Sequence, residues 1–314
     1  MLRFLKLTAS STLAILIALI PRTIHAQPQS PESASASVTT IVTVLGPSFT
    51  APPALGQADV VVHTGKRRED VTGWSLAQGE NATLQLAILI DDGANDFGTH
   101  LDEVRHFIQA QPKEANIGVF YASNGITQPV APFSTDHDAV AAKVRITLGP
   151  SNTSTSIYLS LIDVLKKLQS LAGRREVLLI ADGHDRLRGD LPESPDLDNA
   201  MASAQKAGIV VHTLYAHVGR SRRGFSLTLA QGNLNHIASA TGGQAFFQGL
   251  DTPVSFTPFL NQLDMVLHNQ YFLTFTTARS TKRKGELRSF KVDTEQHNIS
   301  ITAPSEVYVP GPAR

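Results

Sequence analysis

The sequence predicts an α/β fold, a doubly wound and mostly parallel sheet with a small β-rich subdomain formed by the N- and C-terminal flanks. Three observations predict it. Residues 86–91 (Leu-Ala-Ile-Leu-Ile-Asp) and 177–182 (Val-Leu-Leu-Ile-Ala-Asp) are apolar runs without polar alternation, the pattern of strands buried on both faces. Between residues 83 and 269 strand-type runs alternate with helix-period stripes, as in a parallel sheet wound by right-handed crossovers. Outside that span the helical period is lost and short runs alternate with period two.

The elements follow in order. Residues 1–26 carry Arg3 and Lys6, an apolar run over 7–20 and a small residue, Ala26. This is the pattern of a cleaved secretory signal, too short for a comfortable membrane span. It implies a secreted or periplasmic protein with no span after cleavage. Residues 27–38 are small, polar and proline-bearing and read as a flexible tether. The N-terminal flank, 39–82, holds strand-like runs at 40–45 and 59–63. In the α/β domain, 83–269, strands are expected at 84–91, 117–121, 127–132, 177–181, 209–215 and 245–247. The stripe Leu101, Val104, Phe107 and Ile108 predicts a helix, with Thr99 and Asp102 as its capping box. Further helices are expected over 136–146, 157–168, 197–207, 227–240 and 259–267, the third of these stopped by Gly208. The C-terminal strands, 270–310, are expected to pair with the N-terminal flank.

Composition narrows the function. The 314 residues are 42% apolar and 17% charged, and the formal charge is zero, so nothing favours nucleic acid or an anionic membrane. No cysteine is present, which excludes disulfides, thiol nucleophiles and thiolate metal sites.

Asp91 and Asp182 end two buried strands, and ligands of open α/β sheets bind outside the carboxyl ends of such strands. The pair therefore marks a candidate site. One reading is a divalent cation. The simpler one is that both aspartates accept backbone amides in the strand-end turns.

These stretches resemble a von Willebrand factor type A domain. There an apolar strand runs into Asp-x-Ser-x-Ser, a later one runs into Asp-Gly, and a threonine lies in a loop before a helix. More narrowly, the chain is similar over about 38–310 to the bacterial secreted proteins called von Willebrand factor A-related. Ile-Asp-Asp-Gly at 90–93, Arg-Arg-Glu-Val-Leu-Leu-Ile-Ala-Asp-Gly at 174–183 and Ala-Gln-Lys-Ala-Gly-Ile-Val-Val at 204–211 carry the likeness, with Thr-Gly-Gly at 241–243 and Val-Tyr-Val-Pro at 307–310. The resemblance implies a metal-ion-dependent adhesion site for Mg2+ or Mn2+, with Asp91, Asn95, Thr155 and Asp182 as ligands and Thr153 as second choice for the threonine. It also implies a protein partner whose carboxylate completes the cation's shell. Gly93 and Asn95 stand where the two serines should be, so the motif is degenerate. Magnesium wants six oxygens at about 2.1 Å, and Gly93 supplies none. Water, Asp92 or Asp96 would have to replace it.

Other chemistries fit less well. An aspartate-nucleophile hydrolase using Asp91, Asp92, Asp182 and Asp185 needs a carboxylate where Gly93 stands. No Gly-x-Ser-x-Gly elbow or phosphate-binding loop occurs. His212 and His217 have poor metal spacing. His184 lies beside the predicted face, and Arg220, Arg222 and Arg223 form a basic, glycine-flanked loop there suited to an acidic partner. The expectation is a non-catalytic module that contacts another protein through Asp92, Asp96, His184 and that loop, with no cofactor required. The alternatives are a degenerate magnesium-dependent hydrolase and a structural component of an envelope assembly.

Overall fold

The computed structural model describes residues 35–79, 82–94, 97–123, 125–149, 156–187, 194–218 and 224–312. The secretory-type segment 1–26 lies outside them.

The parallel body is built on β4 (Leu84–Asp91), in which every residue is buried. It lies between β5 (Asn116–Ser123) and β7 (Arg174–Ala181), parallel to both, with Leu89 opposite Phe120 and Leu179. β8 (Val210–Tyr215) and the two-residue β9 (Ala245–Phe246) extend it on one side, and antiparallel β6 (Ile126–Ser134) on the other. The order is β6-β5-β4-β7-β8-β9. It reverses direction between β4 and β7, the topological switch point of a doubly wound sheet.

Helices cover both faces, as the apolar strands require. Helices α1 (Leu101–Ala110), α2 (His137–Lys143) and α6 (Thr257–His268) pack residues such as Phe107, Val140 and Leu263 onto one face. Helices α3 (Ile157–Gln169), α4 (Pro195–Ala207) and α5 (Gly224–Thr241) pack Leu161, Ala200 and Ile237 onto the other. α4 starts on Ser194, whose hydroxyl accepts the Leu197 amide at 3.3 Å. It stops at Gly208, which adopts φ 63°, a conformation glycine enters without a Cβ penalty.

Two local expectations change. The Thr99–Asp102 capping box does not cap α1: the helix is entered from a 3-10 turn, Phe97–His100, with His100 at the N-cap and no side-chain cap bond. The helix expected over 136–146 ends at Lys143.

The flanks form a second sheet, antiparallel and ordered β12-β1-β10-β3-β2-β11-β13. Its members are β1 (Ser35–Leu45), β2 (Val60–Thr64), β3 (Arg67–Leu76), β10 (Gln270–Ala278), β11 (Glu286–Thr294), β12 (Ser300–Thr302) and β13 (Glu306–Val309). With seven strands it is no small appendage to the six-stranded sheet, and only the latter is doubly wound. β1 also begins inside the stretch read as tether, at Ser35.

Between the two sheets lies a buried polar network. The Gln244 amide donates to His212 Nδ1 at 3.1 Å, which leaves Nε2 as the protonated nitrogen that donates to Glu176 Oε2 at 2.7 Å. Arg174 Nη1 lies 3.7 Å from Glu176 Oε1 and donates to Gln270 Oε1 and to the Leu267 carbonyl. The Glu176 carboxylate thus faces both the arginine and the histidine.

Glu103 on α1 holds the start of α6. Its Oε2 accepts the Ser255 hydroxyl at 2.6 Å and both the amide and hydroxyl of Thr257 at 2.5 Å, while Oε1 meets His100 Nδ1 at 2.9 Å. Burial acts to raise this carboxyl, but these donors outweigh it and hold the pKa near about 2 against an ordinary 4.5. The side chain is 21% exposed, so solvent screening trims the linked stability to about 1–2 kcal/mol. Because the folded pKa is depressed, this stability is present above about pH 4.5 and fades as pH falls toward about 2. Glu103→Gln should therefore lower the urea midpoint at pH 7 and flatten the acid limb of stability between those values. An unchanged acid limb would place the donors' contribution elsewhere.

Candidate functional site

The switch point brings the carboxyl ends of β4 and β7 together. Asp91 closes β4, and its Oδ1 accepts the Gly93 amide at 2.9 Å. Asp182 follows β7, and its Oδ1 accepts the His184 amide at 3.0 Å. The second oxygens of both aspartates face one guanidinium. Arg186 Nη2 donates to Asp182 Oδ2 at 2.5 Å, and Nη1 lies 3.4 Å from Asp91 Oδ2. Asp182 is fully buried, and the Arg186 side chain is only 17% exposed. Burial pushes the Asp91 carboxyl up from its ordinary value, with Arg186 and the Gly93 amide offsetting only part of that rise.

Gly183 makes the turn possible. Its φ is 81°, and a Cβ there would come within 2.3 Å of the Ala230 carbonyl oxygen. Its own carbonyl accepts the Tyr158 hydroxyl at 2.7 Å. That phenol is fully buried, and burial followed by the nearby Asp182 and Asp185 charges raises its pKa well above the ordinary value. Tyr215, at the end of β8, is pushed up to about 12 by burial, Asp182 and Asp251.

The remaining candidates divide. Asp92 turns inward: Arg145 Nη1 and Nη2 donate to its two oxygens at 2.8 and 2.9 Å, and the Leu148 amide donates at 3.0 Å. The same guanidinium lies 4.0 Å over the Tyr121 ring. A carboxylate so engaged offers nothing to a partner. Asp185 is also committed, accepting the Ser194 hydroxyl at 2.7 Å and the Leu187 amide at 3.2 Å. His184 is buried, with Nε2 3.5 Å from the Ser226 hydroxyl. Asn95, Asp96, Thr153, Thr155, Arg220, Arg222 and Arg223 lie outside the described residues.

The described residues do not fit a divalent cation. Each aspartate gives one oxygen to a turn amide and the other to Arg186, and Gly93 brings no side-chain oxygen. A guanidinium between the two carboxylates also repels any incoming cation. Sequence reasoning overlooked Arg186 and Arg145. The only signal for Arg186 was its place four residues after Asp182, and Arg145 was hidden inside a helix expected to run to 146.

No protein-family model matches the chain, and no curated protein matches it. Among solved structures the chain is similar to an aerotolerance-related membrane protein of Bacteroides fragilis, at 13% identity and TM-score 0.42, over 59% of this chain and 98% of that one. It is also similar to the SpRpn10 VWA domain, at 13% identity and TM-score 0.37, over 59% and 94%. A third is the pilus adhesin SpaC of Lactobacillus rhamnosus GG, at 8% identity and TM-score 0.44, over 86% of this chain and 50% of that one.

Proposed function

We propose that the chain is a non-catalytic, von Willebrand factor A-like protein-binding module that works outside the cytoplasm and docks its partner on the carboxyl end of the parallel sheet without a divalent cation. The observation that carries this reading is where apolar side chains remain exposed. Of the nine large ones left exposed among the described residues, eight lie at that end. Ile126 sits at the β5–β6 turn, and Ile146 and Leu148 lie in the segment whose Leu148 and Gly149 amides reach Asp92. Leu159 is in the first turn of α3, and Leu187 follows Arg186. Phe247, Leu250 and Val254 follow β9, with Val254 99% exposed. Apolar side chains clustered at one end suit a protein interface.

Arg186 supports the cation-free part, because it supplies the positive charge that both aspartates require. The test compares Leu148→Glu/Val254→Glu with Leu76→Glu, the last substituting the ninth exposed residue, on β3. Buried on binding, each apolar side chain contributes about 1.5–3 kcal/mol, so the double variant should bind a partner at least about 100-fold more weakly. The Leu76→Glu variant and wild type in chelator should keep full affinity. Loss of binding in chelator would sink the cation-free mechanism, and full binding by the double variant would sink the surface.

A further inference from the structure

We propose that the outer edge of β1 is a second binding site, one that accepts an extended polypeptide as an added antiparallel strand. β12 pairs with β1 only from Thr43 to Leu45. Among the described residues no strand pairs on that side of Ser35–Val42, although β10 pairs along the other side.

The direction of the backbone groups follows from one bond. The Val44 amide donates toward β10, to the Asn269 carbonyl at 2.9 Å. Bonding direction alternates along an antiparallel strand, so Ala36, Val38, Thr40 and Val42 face β10. Ser37, Thr39 and Ile41 then aim their N–H and C=O groups at the open side. A row of such groups is complementary to one ligand class, an extended backbone.

The other edges show what a guarded edge looks like here. β6 carries Pro129 and Pro132, β9 has two residues, β12 three and β13 four. Natural proteins blunt free edges by shortness, proline or charge. The open part of β1, Ser-Ala-Ser-Val-Thr-Thr-Ile-Val, has no proline and no charge. It faces a groove of about 430 Å³ whose other walls are β13 and the C-terminal end of α4. β13 and the C-terminal end of α4 stand beside this edge and obstruct the flat approach of a second copy's sheet. Arg175 and Lys206 line the groove against the one carboxylate of Glu306, so an acidic segment is favoured.

The probe is a fluorescently labelled nonapeptide, Glu-Val-Thr-Val-Thr-Val-Thr-Val-Glu, titrated with the full chain by anisotropy. Saturable binding is expected. Two N-methylated isomers, blocked on one or the other set of alternate amides, decide the mode. One isomer should bind within about 2-fold of the parent and the other at least about 10-fold more weakly, since only one set bonds to β1. Thr39→Pro removes an outward amide and the Thr39–Thr274 hydroxyl contact but leaves the backbone ladder to β10, and it should abolish binding with Trp74 emission unchanged. If that variant does not fold, the peptide isomers still decide. Equal binding of the isomers, absence of saturation, or dimerisation through this edge that excludes the peptide would each overturn the proposal.

Discussion

Arg186→Ala is expected to destabilise the protein by about 3–5 kcal/mol, the range for removing one partner from a buried ion pair. The loss arises because Asp182 is fully buried and would lose the guanidinium that balances its charge. The variant should also gain something wild type lacks. With the guanidinium gone, two carboxylate oxygens at the switch point are released, and millimolar Mg2+ or Mn2+ should raise the melting temperature of the variant but not of wild type. Arg186→Lys should recover only part of the stability, because an ammonium lacks the planar fork that reaches two carboxylates at once. Equal stabilisation of wild type by either metal would show that Arg186 does not stand in for a cation.

Glu176→Ala is expected to cost a similar amount, about 3–5 kcal/mol. It strips the carboxylate from Arg174, a largely buried arginine whose own pKa burial already lowers. It also leaves the His212 Nε2 proton without its acceptor. Burial alone would raise Glu176, but His212 and Arg174 outweigh it and the net shift is downward. The sign follows: this stability is present above the ordinary glutamate range and is lost as pH falls below it. Urea unfolding should show a lower midpoint with an unchanged slope. A midpoint unmoved at neutral pH would mean that Arg174 is satisfied by Gln270 and the Leu267 carbonyl alone.

The parallel strands were legible because burial on both faces leaves an unbroken apolar run, as in β4 and β7. β3 was not. Its sequence, Arg-Arg-Glu-Asp-Val-Thr-Gly-Trp-Ser-Leu, has few apolar positions, and its one fully covered acid, Glu69, is held by Thr64, Arg67 and Thr277 rather than by apolar neighbours. At the site, the position of the aspartates followed from strand ends, which are a property of sequence. The identity of their counter-ion did not. It depends on a left-handed Gly183 turn that folds Arg186 back over Asp182, and side-chain reach across a turn leaves no period to detect.

The chain's one tryptophan, Trp74, lies in β3 and stacks on Tyr271 of β10 at 4.5 Å. All α-helices among the described residues belong instead to the parallel body. Nature has therefore labelled the two halves with different optical signals. Indole emission reports the antiparallel sheet, while ellipticity at helix wavelengths reports the other half. Agreement or divergence of the two unfolding curves tells whether the halves melt as one cooperative unit, with no introduced dye.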